Sequence, residues 1–270
     1  MKISVILSTY NRPKALELIL KALVNQTDKD FEIIIADDGS DARTEKTIIN
    51  FQKKFTGFNI KHIWQEDKGF RLARIRNLAV LASVGEYLIF LDGDCLPPPN
   101  FIENHRALSE PGWAVYGQRI LASSEYTRYL EQNNSEVLTG SFWKLKNFLK
   151  LYKEKKINRI LPMVEVRGNV WRKISPYQWE RIRGCNWAMW RESYYKINGS
   201  DESFEGWGAE DKDVAVRLLN SNVLLKDGRC FSYVLHLWHP VAKRDNNKEQ
   251  SLIVNRRFDK KIIKPKKGLF

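Results

Sequence analysis

Cysteine is scarce in this 270-residue chain: Cys95, Cys185 and Cys230 are the only three, an odd number with no CxxC pair. That argues against a disulfide framework and against a thiolate zinc site, and leaves three reduced thiols as the expectation. Long apolar runs are also missing, none approaching the ~20 residues of a membrane span. The apolar start, Met1–Leu7, breaks at Ser8-Thr9-Tyr10-Asn11-Arg12-Pro13 and has no small-residue cleavage site. It is therefore expected to be a first strand, and the protein to stay in the cytosol. No GxGxxG or P-loop appears, and no DNA- or RNA-binding motif. Acid is in deficit, with 32 Asp and Glu against 45 Lys and Arg, a formal charge of +13. Seven basic residues and one acid fall between Arg256 and Lys267. Such a surplus suits a polyanion, whether nucleic acid, anionic lipid or a phosphorylated substrate.

What is present is a regular alternation. Lys2–Ser8, Phe31–Ala36, Asn59–Trp64 and Glu86–Leu91 read as strands; Pro13–Asn25, Arg43–Phe55 and Arg71–Ala82 have helical spacing. This predicts a mostly parallel sheet with helices on both faces. The second half is less regular. Glu125–Lys156 reads as helical and ends strongly basic, Gly184–Trp190 is rich in tryptophan, Gly206–Asn220 passes from a glycine loop into an amphipathic helix, and Phe231–Leu237 reads as a strand.

Ligands of such sheets bind beyond the carboxyl ends of the strands. Three strands here run straight into polar punctuation: Ser8-Thr9-Tyr10-Asn11-Arg12, Asp37-Asp38-Gly39-Ser40 and Asp92-Gly93-Asp94. Each alone reads equally well as a solvated turn. Three at one edge mark the active side. The paired carboxylates of Asp92-Gly93-Asp94 can hold a divalent ion and leave positions open for phosphate oxygens.

These motifs, in this order, resemble those of the family 2 glycosyltransferases with the GT-A fold. Phe204-Glu205-Gly206-Trp207-Gly208-Ala209-Glu210-Asp211 resembles the carboxy-terminal motif of galactosyltransferase-like members. The resemblance covers roughly residues 1–245. It implies an α/β, Rossmann-like nucleotide-binding half (1–120), an acceptor-binding and catalytic half (121–245) and a basic tail (246–270).

It also implies roles. Ser8, Tyr10, Arg12, Asp38, Arg76 and Asp92 would form the UDP-sugar site, Asp38 reading the uracil edge and one of Arg71, Arg74 and Arg76 reaching the nucleotide. Asp94, with His239 and His236, would ligate Mn²⁺ or Mg²⁺. An inverting transfer needs a carboxylate to take the acceptor proton. The motif puts that base on Asp211, where the helix dipole favours an ionised carboxylate. Glu210 would hold an acceptor hydroxyl, and Trp207, followed by Trp187 and Trp190, would offer faces for sugar rings. With nine tryptophans in the chain, any one outside the Gly206-Trp207-Gly208 loop reads first as core.

The tail, basic with interspersed apolar residues, is expected to be disordered or weakly helical and to meet the anionic inner leaflet of a membrane. The reading is thus an inverting, metal-dependent glycosyltransferase acting on a glycan or lipid-linked glycan acceptor in bacterial surface-polysaccharide assembly. Nucleic acid is not an expected partner. The rivals are a sugar nucleotidyltransferase, which would carry a basic glycine-rich phosphate loop after its first strand, and a non-enzymatic polyanion-binding protein.

Overall fold

A computed structural model describes the chain apart from residues 134–137, 167, 169, 207, 241–251, 254 and 258. Its first half folds as the alternation requires: β1 (Ile3–Thr9), α1 (Pro13–Val24), β2 (Phe31–Asp37), α2 (Ala42–Lys54), β3 (Ile60–Trp64), α3 (Leu72–Ala82) and β4 (Tyr87–Asp92). A short β5 (Cys95–Leu96), α4 (Phe101–Leu108), β6 (Trp113–Tyr116), β7 (Gln118–Leu121), α5 (Ser124–Gln132) and α6 (Leu145–Lys153) come next. Three 3-10 turns (Leu161–Met163, Trp171–Lys173 and Trp179–Arg181) lead to β8 (Asn186–Trp190), α7 (Arg191–Lys196), α8 (Glu210–Asn220), β9 (Leu224–Asp227) and β10 (Tyr233–His236).

The main sheet has the order β3-β2-β1-β4-β8-β6-β9, and β5-β10-β7 form a smaller one. Within the main sheet only β8 is reversed, lying antiparallel to both β4 and β6. β1 and β2 are buried along their whole length, which is why they read as continuous apolar runs. Alternate side chains go to opposite faces: Ile3, Val5 and Leu7 pack with α1, and Ile6 packs with Ile75 and Ala79 of α3. Each fully buried Leu or Ile contributes about 1.5–3 kcal/mol. Pro13 opens α1 and Asp41 caps α2 by accepting from the Arg43 N–H.

Two expectations change. The single helix over Glu125–Lys156 is two, α5 and α6, because Phe142 and Trp143 turn inward and pack on Phe148. The basic tail, in its described part, is docked on the body. Residues 252, 253 and 255–257 are helical. Ile253 packs with Phe204 and Val216, and Leu269 enters the cluster around α3, α7 and α8. Arg256 pairs with Asp201 and with Asp213 of α8. Ile253 and Leu269 of the tail thus face the protein, while its described lysines, with Leu252 and Phe270, face outward.

Candidate active site

Strand register gathers the site. Ser8 is level with Ala36 on one side and Asp92 on the other, and Thr9 is level with Asp37. Just beyond β2, the Asp38 carboxylate accepts from the Arg71 N–H at 2.9 Å and from the Gln65 side-chain amide. Burial raises its pKa against those donors. A cleft of about 380 Å³ lined by Trp64, Gln65, Arg71 and Arg74 opens beside it. Tyr10 is half exposed and donates to Asp67 at 2.9 Å.

Arg76 was expected to reach nucleotide. Its guanidinium is instead buried between the two halves of the site. Nη2 donates to Asp92 at 3.0 Å and to the Gly184 carbonyl at 2.9 Å; Nη1 donates to Asp211 at 2.9 Å; Nε donates to Ser8 Oγ at 3.3 Å. Burial works against its charge, and Asp211 and Asp92 together outweigh it, so Arg76 stays cationic. Asp92 is pushed up to about 6, chiefly by burial, with Arg76 opposing and Asp94 reinforcing.

The loop entering α8 takes positive φ at Gly206, Gly208 and Ala209, a path L-residues rarely follow. That turn sets Glu210 and Asp211 at the start of α8. Asp211 Oδ2 accepts from the Gly184 N–H at 2.7 Å. A Cβ on Gly184 would sit 2.2 Å from Asp211 Oδ1, so glycine is required there for the carboxylate to fit. Sequence reasoning missed Gly184, because its role depends on a partner far along the chain. Glu210 is buried, with Oε2 lacking a hydrogen-bond partner among the described residues. Burial and the neighbouring Asp211 push it up to about 8. The helix dipole expected to keep an acid here ionised is outweighed at Glu210 by desolvation.

Asp94, Cys95 and His236 offer ligand atoms within 4.8 Å of one another. His236 Nε2 and His239 Nε2 lie 3.7 and 3.5 Å from the Asp94 carboxylate. Burial lowers the pKa of the His236 imidazole, with Asp94 opposing, and so favours the neutral form that binds a metal. Cys95 is a neighbour the sequence did not suggest. Burial, and then Cys185, push its thiol well above its ordinary value, so it donates toward Asp94 as an S–H. A carboxylate with two imidazoles fits a divalent ion such as Mn²⁺. Arg12 lies on this side of the site rather than on the nucleotide side, bonded to Asp94 at 3.0 Å and Glu131 at 3.3 Å.

The tryptophans divide. Trp187, expected to face the acceptor, is fully buried with its ring stacked on Phe90 at 4.7 Å. It is core, since β8 turns it inward beneath the sheet edge. Trp190 packs edge-on against Tyr87. Trp207 lies outside the described residues. A larger cavity, about 500 Å³, lies between α4 and Arg172 and holds none of the site residues.

Comparison with known proteins fits this geometry. The model of glycosyl transferase family 2 matches residues 4–167, and one described as the N-terminal domain of galactosyltransferase matches residues 171–240. The chain is similar to chondroitin synthase of Escherichia coli, 28% identical over 223 residues, which cover 80% of this chain and 32% of that protein. Across five such relatives it spans 23% to 51% of their length.

Among solved structures, it is similar to the mannosyltransferase PcManGT from Pyrobaculum calidifontis in complex with GDP-Man and Mn²⁺. The TM-score is 0.61 at 16% identity, covering 97% of this chain and 64% of that one. It is also similar to S. aureus TarS 1-349 in complex with UDP, with a TM-score of 0.61 at 18% identity over 97% of this chain and 70% of that one. The fold is α/β of the GT-A type.

Proposed function

We propose that this chain, which belongs to glycosyl transferase family 2, moves a hexosyl or N-acetylhexosaminyl group from a UDP-sugar to a hydroxyl of a glycan acceptor, with inversion. One observation carries the reading: a single buried guanidinium, that of Arg76, touches both Asp92 at the end of β4 and Asp211 at the start of α8. The nucleotide-facing edge and the candidate base are thereby held in one geometry. The UDP named for TarS and the Mn²⁺ named for the mannosyltransferase supply the donor and cofactor classes.

In this reading residues 1–120 bind the donor, with Asp38 on the uracil edge, Ser8 and Tyr10 around the nucleoside and Asp92 toward the ribose. Residues 121–245 bind the acceptor. Asp94, His236 and His239 would hold Mn²⁺ or Mg²⁺, whose charge offsets that of the leaving diphosphate. Asp211 takes the proton of the acceptor hydroxyl as its oxygen bonds to the anomeric carbon. The bond from that carbon to the diphosphate oxygen breaks on the opposite face, releasing UDP. Arg76 and the Gly184 N–H each bind one Asp211 oxygen and fix its aim. Glu210 positions the acceptor hydroxyl, and Trp207 stacks on a sugar ring. The setting is surface-polysaccharide assembly at the inner face of the cell membrane, on a glycan or lipid-linked glycan.

Asp211→Asn tests the reading. Turnover is expected to fall by ~10²–10⁴ with UDP affinity near that of the wild type; the melting temperature is expected to fall as well, since the amide N–H₂ faces one of the two donors Asp211 accepts from and buried Arg76 loses a counter-charge. A folded, UDP-binding variant with near-normal transfer would remove Asp211 from the mechanism.

A further inference from the structure

α6 carries three kinds of side chain on three faces. Phe148 and Leu151 enter the core beside Trp143. About 100° around the helix, Leu145, Leu149 and Tyr152 form an outward row at i, i+4 and i+7. They are 42%, 38% and 48% exposed. A further ~100° around runs a parallel row of Lys146, Lys150 and Lys153, all exposed. From residue 144 to 159 there are seven basic residues, and Glu154 is the one acid.

The chain after α6 continues the pattern. Pro162 and Met163 anchor a turn, Met163 against the core that α6 covers, while Leu161, 65% exposed, Val164 and Val166 stay outside. Single exposed apolar residues are ordinary on a protein surface. Two segments close in sequence that pack on one core and both turn apolar side chains outward, the first of them beside a lysine row, are a different matter.

The chemistry of the occupant follows from this pairing. Nucleic acid would satisfy the lysines and leave the leucine row wet. A second copy meeting this face across a two-fold axis would bring like-charged lysine rows together. An anionic bilayer satisfies both rows, with headgroups for the lysines and the headgroup–acyl boundary for Leu145, Leu149 and Tyr152. Among the described residues no helix is long and apolar enough to cross a membrane, so contact through α6 would be in the plane of the interface.

We propose that α6 and the turn at 161–166 form the surface by which this protein binds an anionic membrane. The proposal rests on the membrane setting proposed above, and moves the contact from the C-terminal tail to α6. Of the tail's described apolar residues, Ile253 and Leu269 are buried against the protein itself, whereas Leu252 and Phe270 are exposed singly at its two ends.

The test is co-sedimentation of the full chain with vesicles of phosphatidylcholine alone or mixed with phosphatidylglycerol. Binding is expected to the mixed vesicles and to weaken as salt rises. Leu145→Glu with Leu149→Glu should lose about ten-fold or more in vesicle affinity. Lys146→Gln with Lys150→Gln and Lys153→Gln should lose a comparable amount. A tail variant of equal charge change, Lys260→Gln with Lys261→Gln and Lys264→Gln, should stay within about two-fold of the wild type. UDP affinity with Mn²⁺, measured on each variant, checks folding and tests the donor reading separately. The proposal fails if the wild type ignores the mixed vesicles, or if the tail variant loses binding while both α6 variants keep it. It also fails if the α6 variants change the oligomeric state and not the vesicle affinity.

Discussion

Glu210 and Asp211 are chain neighbours with opposite surroundings. Asp211 is held by Arg76 and the Gly184 N–H, whereas Glu210 is buried with one oxygen unpartnered and is pushed up to about 8. Near neutral pH Glu210 therefore carries its proton and can donate a hydrogen bond as well as accept one. The unfolded chain loses that proton near 4.5, the ordinary glutamate value. The folded state binds more protons between those two values, so stability falls as pH rises from about 4.5 to about 8. Glu210→Gln removes the penalty. The variant is expected to melt a few degrees above the wild type at about pH 9 and level with it at about pH 4. Thermal melts at both pH values check this; an equal offset at the two would show that the change acts through packing and not through the proton.

At the scale of elements, α8 is tied down from behind. Asp213, fully buried, pairs with Arg217 at 2.7 Å and with Arg256; Arg256 also pairs with Asp201 at 2.5 Å. Burial disfavours the Arg256 charge, and the two aspartates outweigh it. Removing that arginine leaves Asp201 without its cation and Asp213 with only one, in a buried setting, where a broken pair costs about 3 kcal/mol or more. Arg256→Ala is expected to lower the melting temperature by about 5–10 °C, and Arg256→Lys by less. A calorimetric scan of the two variants checks the order; an unchanged Arg256→Ala would mean the segment adds nothing to α8. The sequence showed Arg256 only as part of a charge run, since its partners lie far back along the chain. The alternation of the first half was legible because those strands and helices bury themselves by local pattern. Asp94, His236 and His239 were legible through motif resemblance. Gly184, Cys95 and the burial of Trp187 were not, because each depends on a partner distant in the chain: Asp211 for Gly184, His236 across the β5–β10 pair for Cys95, and Phe90 of β4 for Trp187.

For the molecule as a whole, the two halves share one sheet, since β8, β6 and β9 extend the edge that β4 would otherwise present. Leu88 and Phe90 of β4 pair with Met189 and Trp187 of β8 and are fully buried. The functional halves are consequently not separable folding units. A fragment of residues 1–120 is expected to aggregate rather than bind UDP, because it bares a long apolar edge strand; expression trials with a solubility assay check this. The same arrangement bears on synthesis. Domains fold as units, amino-terminal part first, while the chain is still being made. Here β4 emerges from the ribosome well before its partner, and its edge has nothing to pair with until Asn186–Trp190 has been translated. The reversed strand that joins β4 to β6 in the sheet therefore also sets how long the nascent protein must be kept from its neighbours.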